Sequence, residues 1–185
     1  MPRSTTMTCA LIVIDMQQGS FTADQPRHDA AGLVRRLNAL ADRVRSAGGM
    51  VIFIQHDGPE DDPHHPSKPG WQLLPELTVL PADQIVRKTA CDAFLYTELE
   101  GLLAACEIDR LIVTGCATEY CVDTTVRSAL AHGYRTAAPA DGHTTLDRPH
   151  LSAEKIIAHH NAIWSDFLSP AGPAEVCPCD QVALP

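Results

Sequence analysis

Short apolar runs, too brief for a helix and too continuous for a strand with one wet face, alternate along this chain with segments of helical period. Thr8 to Ile14 (TCALIVI), Met50 to Gln55 and Arg110 to Thr114 are such runs, and a strand of this kind is buried on both faces, as in a parallel sheet. Between the first two, Leu33, Leu37, Leu40 and Val44 recur at helical spacing over Asp29 to Ala47, and Gly48 and Gly49 end the pattern. Further along come a short Ile85-Val86 strand ending at Lys88, a helix near Thr97 to Cys106, and a helical pattern from Cys121 to His132 closing on Gly133. A strand over Tyr134 to Pro139 and a helix over Ser152 to Phe167 follow, with Ser152 as N-cap. This alternation predicts an α/β fold: a doubly wound, mostly parallel sheet with helices on both faces.

The 185 residues suit a single domain spanning 1–185, with a core over about 8–168 and a proline-rich C-terminal tail over 170–185. The tail is expected to pack loosely or to cross to a neighbouring subunit. Fourteen basic against twenty-three acidic residues give a net charge of −9, which opposes binding to nucleic acid or anionic lipid unless a basic stripe exists. The densest basic cluster, Arg35, Arg36, Arg43 and Arg45, shares its segment with the apolar helical positions and reads as a solvated helix face. No stretch has the length of a membrane span, and the N-terminus lacks the order of a secretion signal. Seven cysteines, an odd number scattered through apolar segments, read as reduced thiols and point to the cytoplasm.

In a doubly wound sheet, ligands bind beyond the carboxyl ends of the strands. Asp15, Lys88 and the Gly115 to Cys121 loop all fall at that edge. Cys121 follows the strand-loop segment LIVTGCATEY and opens the next helix, where the positive end of the helix dipole favours thiolate. Lys88 is one of three lysines against eleven arginines. Its compact ammonium suits a charge partner for a thiol or carboxylate, though a lysine at a strand end also serves as a snorkelling edge residue. Asp15 breaks an apolar run where an unpaired carboxylate is costly. Taken alone it reads first as the cap of a turn, and only the three residues together favour chemistry.

The segment Asp57 to Pro81 holds six prolines, two glycines and Trp71, and is too long for a minimal connection, so it is read as a lid or pocket wall. The pairs His56-Asp57, His64-His65 and His159-His160 do not have the spacing of metal-binding motifs, and no metal or cofactor is expected. Cys177-Pro178-Cys179 lacks C-x-x-C spacing and reads as part of a floppy tail.

LIVIDMQ (11–17), VRKTACDAFLYTEL (86–99) and VTGCATEYCVDTTVRSALAHGY (113–134) resemble, in order and spacing, three signatures of the isochorismatase-like cysteine hydrolases. The resemblance runs from about residue 8 to about residue 165. It implies six parallel strands, with Asp15 as general base, Lys88 as its charged partner and Cys121 as nucleophile. It also implies a cis Cys116–Ala117 peptide and an oxyanion hole made by the backbone N–H groups of Ala117 and Cys121. The nicotinamidase branch has an aspartate and histidines for a metal after the second strand; here that place reads Gln55-His56-Asp57-Gly58, so the metal is in doubt and His56 is expected to touch substrate instead. Phe21, Trp71 and Tyr120 are further substrate-binding candidates by position. True isochorismatases typically lack the nucleophilic cysteine, so Cys121 favours amide or carbamoyl hydrolysis of a small molecule over vinyl-ether hydrolysis. Relatives commonly form homodimers or homotetramers, which sets the same expectation here. Two rivals remain: a catalytically dead binding module, and a redox protein pairing Cys121 with Cys116.

Overall fold

The computed structural model describes residues 8–185. Ten elements carry the fold: β1 (Cys9–Ile14), α1 (Ala30–Ser46), β2 (Met50–His56), β3 (Gln84–Lys88), α2 (Leu99–Ala105), β4 (Arg110–Cys116), α3 (Asp123–Ala131), β5 (Arg135–Ala137), β6 (His143–Thr144) and α4 (Ala153–Trp164). The strands form one six-stranded sheet in the order β3-β2-β1-β4-β5, with β6 paired to the end of β4. Every pairing is parallel. The chain therefore winds outward from β1 through β2 to β3, then returns to the other side of β1 with β4. That reversal opens a crevice between the carboxyl ends of β1 and β4, the place where such sheets hold ligands.

Alternation along the central strands explains why their sequence is continuously apolar. Cys9, Leu11 and Val13 of β1 pack with Leu33, Leu37, Leu40 and Val44 of α1. Ala10, Ile12 and Ile14 face the other side, against Leu99 and Leu103 of α2, Val126 and Leu130 of α3, and Trp164 of α4. Each fully buried Leu or Ile side chain contributes roughly 1.5–3 kcal/mol, so the two layers hold the β1–β4 crevice on a stiff floor.

Local details differ from the sequence reading for identifiable reasons. Cys121 does not open an α-helix. It lies in a single π-helical turn, Thr118–Val122, ahead of α3, because the Ala117 carbonyl accepts from both Tyr120 N–H and Val122 N–H and so widens the turn. Ser152 occupies the N-cap of α4, but its side chain makes no cap bond; Asp147 Oδ1 accepts from Ala153 N–H at 2.8 Å instead. β5 stops at Ala137, since Ala138 N–H turns to Glu175 O and Pro139 has no N–H to offer.

The tail does not pack loosely. Arg43 donates to Cys179 O and Val182 O at 2.8 and 2.7 Å, and Cys179 and Val182 are buried in the α1 layer. Part of the basic face of α1 is thus an anchoring face rather than a solvated one; Arg45 likewise forms a 2.6 Å ion pair with Asp83. Among the described residues, all seven cysteines are free thiols, and no helix is long and apolar enough to cross a membrane.

Candidate active site

Asp15 is the first residue beyond β1. It adopts a left-handed φ of 49°, which aspartate tolerates better than most side chains, and its N–H donates to Ile54 O at 3.0 Å. The turn carries its carboxylate out of the strand and into the crevice. Lys88 ends β3, in register with His56 of β2. Its side chain is 0% exposed, and it reaches past the end of β2 to donate to Asp15 Oδ2 at 2.7 Å, Ala90 O at 2.9 Å and Cys121 Sγ at 3.3 Å. All three N–H bonds of the ammonium are therefore used.

Electrostatics follow from this packing. Burial works against the Lys88 ammonium, but the charges of Asp15 and Cys121 outweigh it and hold its pKa above the ordinary lysine value. Burial raises the Cys121 thiol, the Asp15 charge raises it further, and Lys88 pulls the other way without prevailing. The sequence expectation of a resting thiolate thus meets a stronger opposing effect: desolvation of the sulfur outweighs its place in the first turn of a helix. Asp15 Oδ1 is buried with no hydrogen-bond partner, which leaves one carboxylate oxygen free beside the thiol.

The Cys116–Ala117 peptide is cis. Immediately before it, Gly115 has φ of +117°, and a Cβ there would stand 2.2 Å from Ile14 O. Only glycine allows β4 to lie this close to β1.

A cavity of about 370 Å³ opens over the thiol, its wall including Asp15, His56, Ala117, Tyr120 and Cys121. The structure therefore brings together the three triad candidates, the loop alanine and two of the four substrate-binding candidates, for Lys88 stands directly beneath Asp15 and Cys121. Phe21 and Trp71 are not in this wall. Phe21 borders a separate hollow with Val34 and Leu74. The Trp71 indole donates to Asp57 Oδ1 at 2.8 Å, with the Arg87 guanidinium 5.3 Å from its ring centre.

Sequence reasoning missed Ser20, Arg27 and Arg148 in the same wall, and did not assign to it His64, weighed only as half of a metal-binding pair, or Cys91, which lies within the 86–99 signature. All five come from segments without hydrophobic period. Gln17 also went unremarked, although it accepts from His56 N–H at 2.8 Å and donates to His56 O and Trp71 O at 3.0 and 2.8 Å. That buried amide ties the end of β2 to the 57–81 segment.

His56 is held below the usual histidine pKa by burial and by Lys88, and its Nδ1 is buried without a partner. His64 Nδ1 pairs with Asp62 Oδ1 at 2.8 Å and its Nε2 with Ser20 Oγ at 2.8 Å. With both nitrogens engaged, His64 is poorly disposed to ligate a metal, and among the described residues no three His, Cys, Asp or Glu side chains converge as ligands would.

At the switch point of this doubly wound sheet, a buried lysine thus contacts both a buried carboxylate and a half-buried cysteine, an arrangement chemically able to support nucleophilic attack by the sulfur. Residues 9–163 match the isochorismatase domain family, and the chain belongs to that family. It is 37% identical over 140 residues to a streptothricin hydrolase of Streptomyces noursei, covering 76% of this chain and 51% of the relative. With a ureidoacrylate amidohydrolase of Cronobacter sakazakii it shares 30% identity, over 64% of this chain and 66% of that one. The chain thus spans about half the length of the streptothricin hydrolase it matches. A crystal structure of an isochorismatase family protein superposes with a TM-score of 0.83 at 33% identity, covering 91% of this chain and 96% of the other.

Proposed function

We propose that this protein is a cysteine hydrolase that cleaves the C–N bond of a small amide or carbamoyl compound through a thioester intermediate. The observation that carries the reading is the single buried ammonium of Lys88, in contact with both Asp15 and Cys121. Asp15 Oδ1 accepts the thiol proton, and the sulfur attacks the substrate carbonyl carbon. Lys88 stays protonated throughout and offsets the negative charge that passes between carboxylate and sulfur. The N–H groups of Ala117 and Cys121 hold the developing oxyanion. Asp15 then returns its proton to the departing amine, leaving an acyl-cysteine. Water, deprotonated by the same carboxylate, attacks the thioester; the acid leaves and the thiol is restored. The names of the streptothricin and ureidoacrylate relatives support C–N cleavage.

Cys116 borders the same cavity as Cys121, but the redox rival is disfavoured by its burial, which pushes the Cys116 thiol up to about 12. The reading is tested by following amine release from a panel of small amides and N-carbamoyl compounds, with intact-mass detection of acyl-enzyme in the native protein quenched with acid during turnover. Release by the native protein that disappears in Cys121→Ala, together with an acyl adduct on Cys121, supports it. Release that survives Cys121→Ala overturns it.

A further inference from the structure

Three side chains of fixed charge line the cavity: Asp15, Arg27 and Arg148. Two of them are already neutralised. Asp15 is paired with Lys88 at 2.7 Å. Arg148 donates through Nε to Glu119 Oε1 at 2.8 Å, approaches the same oxygen with its terminal nitrogen at 2.6 Å, and covers the Tyr120 ring at 5.2 Å. Arg27 differs. Its Nε donates to Ser20 O at 2.7 Å, and among the described residues no carboxylate lies within the 4 Å of an ion pair.

That one backbone bond fixes the plane of the guanidinium while leaving its two terminal amino groups without an acceptor among the described residues. A half-buried fork of N–H donors in this state matches a planar two-oxygen anion and nothing neutral as well. Ser20, which holds Arg27 through its carbonyl, also bonds His64 through its hydroxyl, so the three wall residues are held as one group. Arg27 also acts on the cavity floor. It is the largest of the charges opposing the rise that burial imposes on Cys116. On a chain of net charge −9, an anionic substrate is repelled in general, and a local uncompensated cation is what draws it to one place.

Building on the hydrolase reading, we infer that Arg27 is the specificity-determining residue for a negatively charged group, so that the substrate is a small amide or carbamoyl compound bearing a carboxylate. The cavity of about 370 Å³ sits at the small end of ligand sites. The unpartnered Nδ1 of the neutral His56 offers a further hydrogen-bonding position for the same molecule. If Arg27 were only a brace for the Ser20 loop, its charge would have no bearing on which molecules reach Cys121.

The test uses two alkylating agents of nearly equal size and opposite requirement, iodoacetate and iodoacetamide, with rates read at Cys121 by peptide mapping at mildly alkaline pH. The exposed Cys106, at the end of α2, is the internal reference thiol. The expected result is an iodoacetate-to-iodoacetamide rate ratio at Cys121 about tenfold or more above that at Cys106, falling with added salt. Arg27→Gln brings the ratio down to the Cys106 value, any change in thiolate fraction cancelling because both reagents share it, and Arg27→Lys keeps an intermediate ratio, which separates loss of charge from loss of loop structure. A Cys121 ratio no higher than that of Cys106, or one insensitive to Arg27→Gln, overturns the inference while leaving the hydrolase reading intact. Failure of iodoacetamide to label Cys121 even as the pH is raised to the highest value at which the protein stays folded, while Cys106 labels fully, removes the hydrolase reading and this inference with it.

Discussion

Lys88 Nζ lies 2.7 Å from Asp15 Oδ2, and the two residues belong to strand ends that are separated in the sheet by β2. A buried pair of this kind adds little net stability as a pair, but removing one partner strands the other charge, at a cost of about 3–5 kcal/mol. Lys88→Met is therefore expected to lower unfolding stability by that amount, and the double variant Asp15→Asn/Lys88→Met to recover most of it. Asp15→Asn, Lys88→Met and the double variant are each expected to lose roughly 10²- to 10⁴-fold in kcat/KM, because on the proposed mechanism base and charge partner act together. Urea unfolding beside steady-state rates checks both halves. Stability losses that simply add in the double variant would show the pair to be uncoupled.

Burial and the charge of Asp15 both raise the Cys121 thiol, and Lys88 lowers it. The signs make a distinctive set of expectations for alkylation by iodoacetamide. In the native protein the rate at Cys121 rises with pH through a midpoint above the ordinary thiol value of about 8.5. Asp15→Asn, which removes a negative neighbour, moves that midpoint down while abolishing turnover, and Lys88→Met moves it up. A native midpoint below the ordinary value means instead that sulfur and ammonium rest as an ion pair, and Asp15 is then not needed to take the thiol proton.

At Gly115 the backbone has φ of +117°, and an added Cβ would meet Ile14 O at 2.2 Å; at Gly133, with φ of +85°, it would meet nothing within 4 Å. Gly133→Ala is expected to cost about 1 kcal/mol from conformation alone. Gly115→Ala adds a backbone clash between β1 and β4 and should cost about 2–5 kcal/mol. Because that clash sits one residue before Asp15, the variant should also lose turnover at temperatures where it is still folded. Equal stability losses for the two glycines, measured by urea unfolding, would mean that β4 shifts freely away from β1.

What the sequence made legible was whatever rests on periodicity. The two-faced burial of β1 produces an unbroken apolar run, the stripe of α1 produces helical spacing, and residues that end such runs, Asp15 and Lys88, stand out against them. Their meeting in space was not readable from either run; it came from resemblance, since it depends on strand order. The two-residue β6 is too short to leave a period, and the Thr118–Val122 turn is decided by one carbonyl accepting two N–H groups. Ser152 stands at the cap position in sequence, but Asp147, an equally good cap by residue type, takes the Ala153 N–H from a loop whose path no local pattern encodes. Arg27 and His64 come from irregular segments in the same way, so their place in the cavity wall could not be read from a local pattern.

Behind the site, His143 of β6 is fully buried between the π-helical turn and α4. Thr118 Oγ1 lies 2.9 Å from its Nδ1, and Asn161 Oδ1 lies 3.0 Å from its Nε2. Asn161 Nδ2 is committed to Ala140 O, so the amide oxygen accepts from Nε2–H, and in the neutral ring Nδ1 accepts from the threonine hydroxyl. Because that hydroxyl could also accept from a protonated ring, burial rather than hydrogen bonding is what disfavours the charged form. Burial lowers the His143 pKa to about 4, against about 6.5 for an unfolded chain. A group whose folded value is depressed in this way contributes its full stabilisation above pH 6.5 and loses it as the pH falls toward 4. The linkage amounts to about 3 kcal/mol across that window. Urea midpoints for the native protein should accordingly fall from pH 7 to pH 4, and His143→Gln, though less stable at pH 7, should show a shallower decline over the same range. Parallel declines in the two proteins would assign the acid sensitivity to other groups and leave His143 as a packing residue beneath the cysteine turn.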